Sequence, residues 1–595
     1  MEPKKNPTPR RKKIKRVLYI ILGVLLLKTV VLGGATLWIA HDYKHILTRK
    51  IPQMILKGSD SIYRISFDDI EIQFRNHKAI LKNVCLTADT NQVNKLRERL
   101  HYSPNTVSNV FAPLVEVRGM YWEHVLLHKT LDCSHVIVHD PKWWMQTIKH
   151  HPDLTMVDDK DGASKLNRLS IACLEILNPD LTYHFKGDRY TYYFYLKGGK
   201  AMLNRWAVDK DLNKDTSSFI YARNGTVRPD SVIFSKDGVD YRIKKPTLEF
   251  SSTTSSVTLN AVIKNMADVE REKGEVLEVY NFRFPEIAVS NFNWKKLLHY
   301  DVLEASEMKA VDPYISVHYV REKAPAAKDR MGQFPNQLIR QAIKTDIRKV
   351  TVKNGRIHYT EPQKKPDSAF VLEFEDINGS FSNVTNIDTV LEHHKNCVIR
   401  LKGKYMGKSP IAATFDMSLT DPKGHFTVDG YVNNLNGDDV SKQAAAFTFA
   451  KVTSFNLTHM TGHIEGDESY ARGQFTMLYN DLKISLFKFK SDDRKTKNGP
   501  FTFLANALIL YPNNPMPGKG PRSASAVLHR DPNHGFIYLI WKDMYMAAQK
   551  TAVRDERTID VAGGHSDRKD DPPKKEGFFK RLFGHHKQED EAPGN

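Results

Sequence analysis

From Ser61 to about residue 545, apolar and polar residues alternate with a period of two, segment after segment. Ile65 and Phe67 alternate with polar neighbours, as do Ile70, Ile72 and Phe74, and Ile80, Leu81, Val84 and Leu86 follow. Successive side chains on a strand point to opposite faces, so this period specifies strands with one buried face. The clearest further strands are Ser134–His139, Tyr190–Leu196, Ser231–Phe234, Thr247–Ser251, Ser256–Ile263, Phe370–Phe374, Val398–Leu401, Ala413–Leu419, His425–Val432, Gly473–Tyr479, Leu482–Phe489 and Phe501–Ile509. Asn224-Gly225, Asp237-Gly238, Asn354-Gly355, Asn378-Gly379, Asp429-Gly430 and Asn436-Gly437 read as turns between them. Helical patterns are few: a short one near Val93–Leu100 and one over Asn336–Arg348, opened by Pro335. The predicted fold class is mainly β.

Ahead of the strands, Val17–Ala40 is a run of 24 residues carrying one charge, Lys28. About 20 apolar residues cross a bilayer core as a helix. Eight basic residues precede the run against one acid, Glu2, and positive charge stays cytoplasmic. The expected topology is single-pass, with the N-terminus inside and the bulk exported. Gly33-Gly34-Ala35 offers a small-residue cleavage site, but the apolar run continues past it to Ala40, which favours an uncleaved anchor. Residues 41–60 read as a membrane-proximal helical linker broken by Pro52.

Hydrophobic residues make up 41% of the 595, enough for a large core, which excludes global disorder. The net charge of +19 fits a protein that works near anionic lipid. Nucleic acid is excluded as a partner by export and by the lack of a recognised binding motif. Four widely spaced cysteines, Cys85, Cys133, Cys173 and Cys397, do not make a disulfide-stapled scaffold, and their pairing is open.

A weak repeat runs through the middle of the chain. Val117–Trp122 leads to Leu126-Leu127-His128 and Asp140-Pro141; Val289–Trp294 leads to Leu297-Leu298-His299 and Asp312-Pro313. Downstream, Asn178-Pro179-Asp180-Leu181 with Tyr183 parallels Asn354-Gly355-Arg356-Ile357 with Tyr359. Repeated β units that share faces stack on one another. The expected organisation is a basic tail (1–16), an anchor (17–40), a linker (41–60), a first β module (61–275), a related second module (276–400), a C-terminal β region (401–553) and a charged disordered tail (554–595). Within that third region, Gly535–Val553 reads as a terminal strand running into a capping helix, interrupted by Lys542, Asp543 and Lys550. In the tail, Gly577–Gly584 is a basic-aromatic patch.

No stretch declares a reaction. The spacings of zincins, nucleophile elbows, phosphate loops, dinucleotide folds and EF-hands are all missing. The pairs His150-His151, His393-His394 and His585-His586 place adjacent rings on opposite sides of a strand, so they do not converge on a metal. Asp68-Asp69, Asp158-Asp159 and Asp438-Asp439 sit in turn-like stretches and read as surface charge, and Trp143-Trp144 as core packing. No catalytic residue, metal or cofactor is expected.

The layout resembles the AsmA-like family of envelope proteins, in a form typical of Bacteroidetes-type Gram-negative bacteria. The residues that carry the likeness are the basic N-terminus and anchor, Ile65–Ile72 running into Ala79–Leu86, the unit Val350–Tyr359, and Gly473–Ile484. The resemblance implies an inner-membrane anchor and a periplasmic, elongated, twisted sheet with an apolar groove, linked to phospholipid movement or outer-membrane assembly. Groove candidates are Phe67, Ile72, Phe74, Tyr192, Phe194, Leu372, Phe374, Phe415 and Met417, with Val17 and Ala40 at the ends of the anchor. Expected partners are membrane phospholipid and other envelope proteins. The alternative is a non-enzymatic envelope scaffold of closed β-sandwich modules; a glycan hydrolase is a third reading.

Overall fold

The structure is a computed structural model. It describes residues 48–554, apart from a few single positions and most of 101–105, 121–129, 148–167, 187–190, 210–221, 266–277, 298–301, 320–334, 363–368, 442–449, 490–509 and 531–535. The anchor Val17–Ala40, the patch Gly577–Gly584, the strand expected at Phe501–Ile509 and Phe74 lie outside the described residues. No described helix is long and apolar enough to cross a membrane.

The chain is mainly β, with 26 strands and few helices among the described residues. It forms two compact units, residues 1–181 with 207–210, and residues 182–206 with 211–595.

In the first unit, Tyr63–Ser66 and Asp69–Gln73 follow one another along Lys78–Ala88. That strand pairs with Thr106–Arg118, which in turn carries Thr130–His139 and Lys142–Thr147 end to end. Register sets Ile72, Ala79, Val117, Val136 and Leu174 side by side, and beside them Ile70, Leu81, Val115, Val138 and Ile176. One face of this sheet is therefore apolar. The helix Thr90–Leu100 begins at Asp89, whose carboxylate accepts the Asn91 and Gln92 amides at 3.1 and 3.2 Å, an N-cap. Val93, fully buried, ties it to Ile62 and Val107.

In the second unit the ladder runs from Thr191–Lys197 and residues 200–206 to Ser523–His529, strand beside strand nearly in chain order. About a dozen strand spacings of roughly 4.8 Å make a sheet roughly 60 Å across. The main core lies at its C-terminal end. There the helix Phe536–Ala552 packs Phe536, Leu539 and Ala547 onto Met417, Phe426, Val428 and Phe475.

Many strands are interrupted by one residue in the left-handed region, and the interruptions are linked across neighbouring strands. Asp140 and Asn178 have φ of 47° and 50°, Asp312 and Asn354 of 51° and 52°. Asn and Asp tolerate this conformation better than other side chains. The Asn83 amide donates to Asp68 at 2.8 Å, Asn178 to Asp140 at 3.2 Å, and Asn354 to Asp312 at 2.5 Å. The backbone repeats the device: Asp140 N donates to Leu177 O and Asp180 N to Pro141 O, as Asp312 N does to Lys353 O and Arg356 N to Pro313 O. Both sites lie on parallel pairings, Thr130–His139 with Arg168–Leu177, and Val302–Val311 with Lys344–Pro362. The weak sequence repeat is thus one structural joint used twice. Trp294 of the repeat is buried against Phe250 and Phe292, at 6.0 and 4.4 Å between ring centroids. Trp122 lies outside the described residues.

Several expectations are corrected. Asn354-Gly355, Asn378-Gly379 and Asp429-Gly430 lie inside the strands Lys344–Pro362, Ala369–Thr385 and Phe426–Asn436, and Asn224-Gly225 opens Asn224–Arg228. The first two lie at register shifts, where the left-handed residue of the bulge is Asn354 in one strand and Asp376 in the other. The predicted helix over Asn336–Arg348 stops after Pro335–Gln341, because Lys344 onward pairs in parallel with Val302–Val311. Gly473–Tyr479 and Leu482–Phe489 form one strand, Tyr470–Phe489. Phe536–Ala552 is helical throughout, so the strand expected at the start of this stretch is replaced by helix from Phe536 on.

Candidate functional site

Residues opposed across a ladder share a face. In the second unit one such row reads Leu196, Val232, Ile243, Ile263, Phe282, Ile315, Ile357, Phe374, Tyr405. Every member is apolar or aromatic. The row one residue away, on the opposite face, reads Tyr195, Ile233, Arg242, Lys264, Asn281, Ser316, His358, Glu373. The sheet is two-faced, one side apolar and the other mostly polar.

Beyond the line of bulges the apolar character resumes. Leu203, Gly225, Phe250, Val257, Val289, Met308, Val350 and Phe381 are opposed in turn. The row continues through Ile399, Phe415, Val428, Ile464, Gly473 and Ala526. Ile399 and Tyr405 lie six residues apart on one strand with no register shift between them, so both rows belong to one face. In most strands between, seven residues separate the rows. The extra residue is the bulge, and a bulge bends its strand.

Cover on this face is uneven. Over the last strands the helix Phe536–Ala552 seals it, with Phe536 at 5.0 Å from Phe426 and 6.3 Å from Phe415 between ring centroids. Trp541 stacks on Tyr405 at 6.2 Å, at the edge of that cover. Further along the first row, Leu196, Ile243, Phe282, Ile315, Ile357 and Phe374 are only half-buried, though Val232 is buried.

The predicted groove residues divide between these environments. Phe194 is half-buried opposite Phe234, on the strand and face of Leu196, whereas Leu372, two residues from Phe374, is fully buried beside Tyr405. Tyr192 is in the same strand as Phe194, but its side chain lies outside the described residues. Met417 is buried in the packed core on the same face, and Phe415 is half-buried against that core beside Phe536. Phe67 is half-buried at the bend between Tyr63–Ser66 and Asp69–Gln73, and Ile72 is buried; both belong to the first unit.

The tempting polar pairs resolve differently. Asp68 is exposed and accepts from Asn83, as its surface reading requires. Asp439 is buried, which corrects that reading. It exchanges hydrogen bonds with Asn436, donating its amide to the Asn436 side chain at 3.1 Å and accepting the Asn436 amide at 3.4 Å. The signal was in the sequence, since Asn-x-x-Asp is the spacing of a reciprocal helix cap. Trp144 is 44% exposed, not core, while its neighbour Trp143 is half-buried. No disulfide joins any of the four cysteines, and burial pushes Cys133 up to about 11 and Cys397 up to about 12. Among the described residues, no three His, Cys, Asp or Glu side chains gather as metal ligands. His150-His151, Asp158-Asp159 and His585-His586 lie outside them.

Two polar groups that sequence reasoning passed over lie in apolar surroundings. Asp543, in the middle of the terminal helix, is fully buried and neither carboxylate oxygen has a hydrogen-bond partner. It fits because Gly473 lies beneath it; a Cβ there would stand 2.1 Å from Asp543 Oδ2. Burial lifts its carboxyl to about 7, against a smaller opposite pull from Lys550. Tyr405 is 3% exposed, its hydroxyl has no partner, and burial followed by the charge of Asp439 pushes the phenol up.

No protein-family model matches the chain, and no curated protein matches it.

Proposed function

We propose that this is an inner-membrane-anchored periplasmic protein of AsmA-like type, with its N-terminus cytoplasmic, whose apolar sheet face binds or moves phospholipid or supports outer-membrane assembly. The observation that carries the reading is the half-buried apolar row from Leu196 to Phe374. Such a face leaves water only by being covered. An acyl chain laid on it gains about 0.8 kcal/mol per buried CH₂, and the polar reverse face keeps the sheet in water. The apolar run Val17–Ala40 supplies the anchor, and the basic residues before it set the direction. No reaction is part of this reading.

The test is native mass spectrometry with lipid extraction on the full chain purified from membranes in mild detergent. Phospholipid should co-purify, and Phe374→Asp or Phe194→Asp should reduce it at least severalfold without lowering the thermal midpoint by more than a few degrees. A wild-type protein that is reproducibly free of lipid overturns the proposal. It would favour the second reading, an envelope scaffold with self-packed faces, which the closed core around Phe426 supports.

A further inference from the structure

The half-buried apolar row ends at a polar cluster that its packing leaves incomplete. Tyr405 closes the row, flanked by Phe374 at 5.7 Å and Trp541 at 6.2 Å between ring centroids. Its ring joins Leu372 in a small apolar cluster with Tyr359, Ile411 and Leu435. Its hydroxyl is buried and makes no hydrogen bond. Native interiors rarely leave such a group unpaired, because each costs about 1–3 kcal/mol. The negative charge of Asp439 acts on the phenol from a distance too long for a hydrogen bond. Lys408, in the turn three residues after Tyr405, brings Nζ to 3.6 Å from Asp439 Oδ1, with its own side chain 69% exposed and Asp439's only 7%. A buried, unpartnered hydroxyl thus closes the apolar track, and three residues on an exposed ammonium pairs with a buried carboxylate. Glu375, close to the Gly407 Cα, adds a second negative charge at this turn.

We propose that Tyr405, Asp439 and Lys408 hold the zwitterionic, phosphate-and-amine head of a phospholipid whose chains lie along Phe374 and Ile357. This rests on the phospholipid reading above. Tyr405 donates its free O–H to a phosphate or ester oxygen, Lys408 faces the phosphate, and Asp439 takes the amine. The carboxylates beside Lys408 oppose a head that carries only negative charge. The hydroxyl, with no partner in the free protein, gains one in the complex, so its contribution appears in binding and not in folding.

The experiment titrates the delipidated full chain with phosphatidylethanolamine and, separately, with phosphatidylglycerol of the same chains, read by native mass spectrometry. Inorganic phosphate is the competitor. Phosphatidylethanolamine should bind at least fivefold tighter than phosphatidylglycerol, and phosphate should not displace it. Tyr405→Phe should weaken phosphatidylethanolamine about fivefold, the value of one hydrogen bond, with the melting temperature unchanged or raised. Asp439→Asn should shift the preference toward phosphatidylglycerol. Equal affinity for the two heads, or full affinity in Tyr405→Phe, overturns the head-group assignment and leaves the apolar track standing. Displacement by phosphate alone makes this a free-phosphate site and also overturns it. Failure of both lipids to bind the wild type removes the phospholipid reading itself.

Discussion

Asp543 gives the terminal helix a built-in pH dependence. The docked carboxyl titrates at about 7, well above its ordinary 3.8, because burial against Gly473 and Phe475 disfavours the charge. A raised carboxyl means that the docked helix holds a proton which the freed helix releases. Docking is therefore unpenalised below about pH 4, weakens as pH rises toward 7, and carries the full penalty above that. Three pH units at about 1.4 kcal/mol each amount to about 4 kcal/mol, of which roughly 2–3 kcal/mol falls between pH 5 and pH 8. Asp543→Asn keeps the shape and removes the titration. Hydrogen exchange of the Phe536–Ala552 amides, corrected for intrinsic rates, measures the opening free energy at each pH. Wild-type protection should fall by that amount from pH 5 to 8, and the Asn variant's should stay level. Parallel slopes in the two proteins would refute the argument, because the slope would then belong to other groups.

The strand joints and the first unit offer two further checks. Asn354 combines a φ of 52° with its bond to Asp312, so Asn354→Val should destabilise the second unit by about 2–3 kcal/mol, and Asn354→Gly, which accepts the φ and loses only the bond, by about 1 kcal/mol. Urea unfolding measures both, and equal losses would show that the conformation does not matter. Glu116 is held down to about 2 by hydrogen bonds from Lys78 and then Arg118, so its contribution is present above about pH 4.5 and lost as pH falls toward 2. Glu116→Gln should therefore weaken hydrogen-exchange protection of Lys78–Ala88 at neutral pH, and the difference from wild type should close in acid.

Alternation made the strands legible one at a time. Ser256–Asn265 and Asn396–Tyr405 are where the period of two put them, with ends moved by a few residues. Of the groove candidates, Phe194, Leu372, Phe374, Phe415 and Met417 all lie on one side of the second unit's sheet, as strand alternation requires of residues an even number apart on one strand. Local sequence could not say which part of that face another element covers. Phe415 and Phe374 look alike in sequence and both are half-buried, yet one packs on Phe536 and the other on Tyr405 beside Trp541, because the helix comes from more than a hundred residues away. Asn354-Gly355 shows the same limit at the backbone. Asn354 does take the left-handed conformation, whereas Asn224, Asn378 and Asp429 before their glycines do not. Whether the chain turns back or bulges and runs on depends on whether a neighbouring strand continues to offer hydrogen bonds, and here Val302–Val311, Tyr314–Tyr319 and Ala369–Thr385 do. Asp543 was visible only as a charge interrupting an apolar stretch. Its burial required Gly473, 70 positions earlier, to leave room for the carboxyl. By itself the sequence determined period, face and flexible points, because these follow from each residue's own stereochemistry and polarity. Tertiary structure alone decided register, bulge or turn, and cover, because each depends on which distant segment supplies the partner.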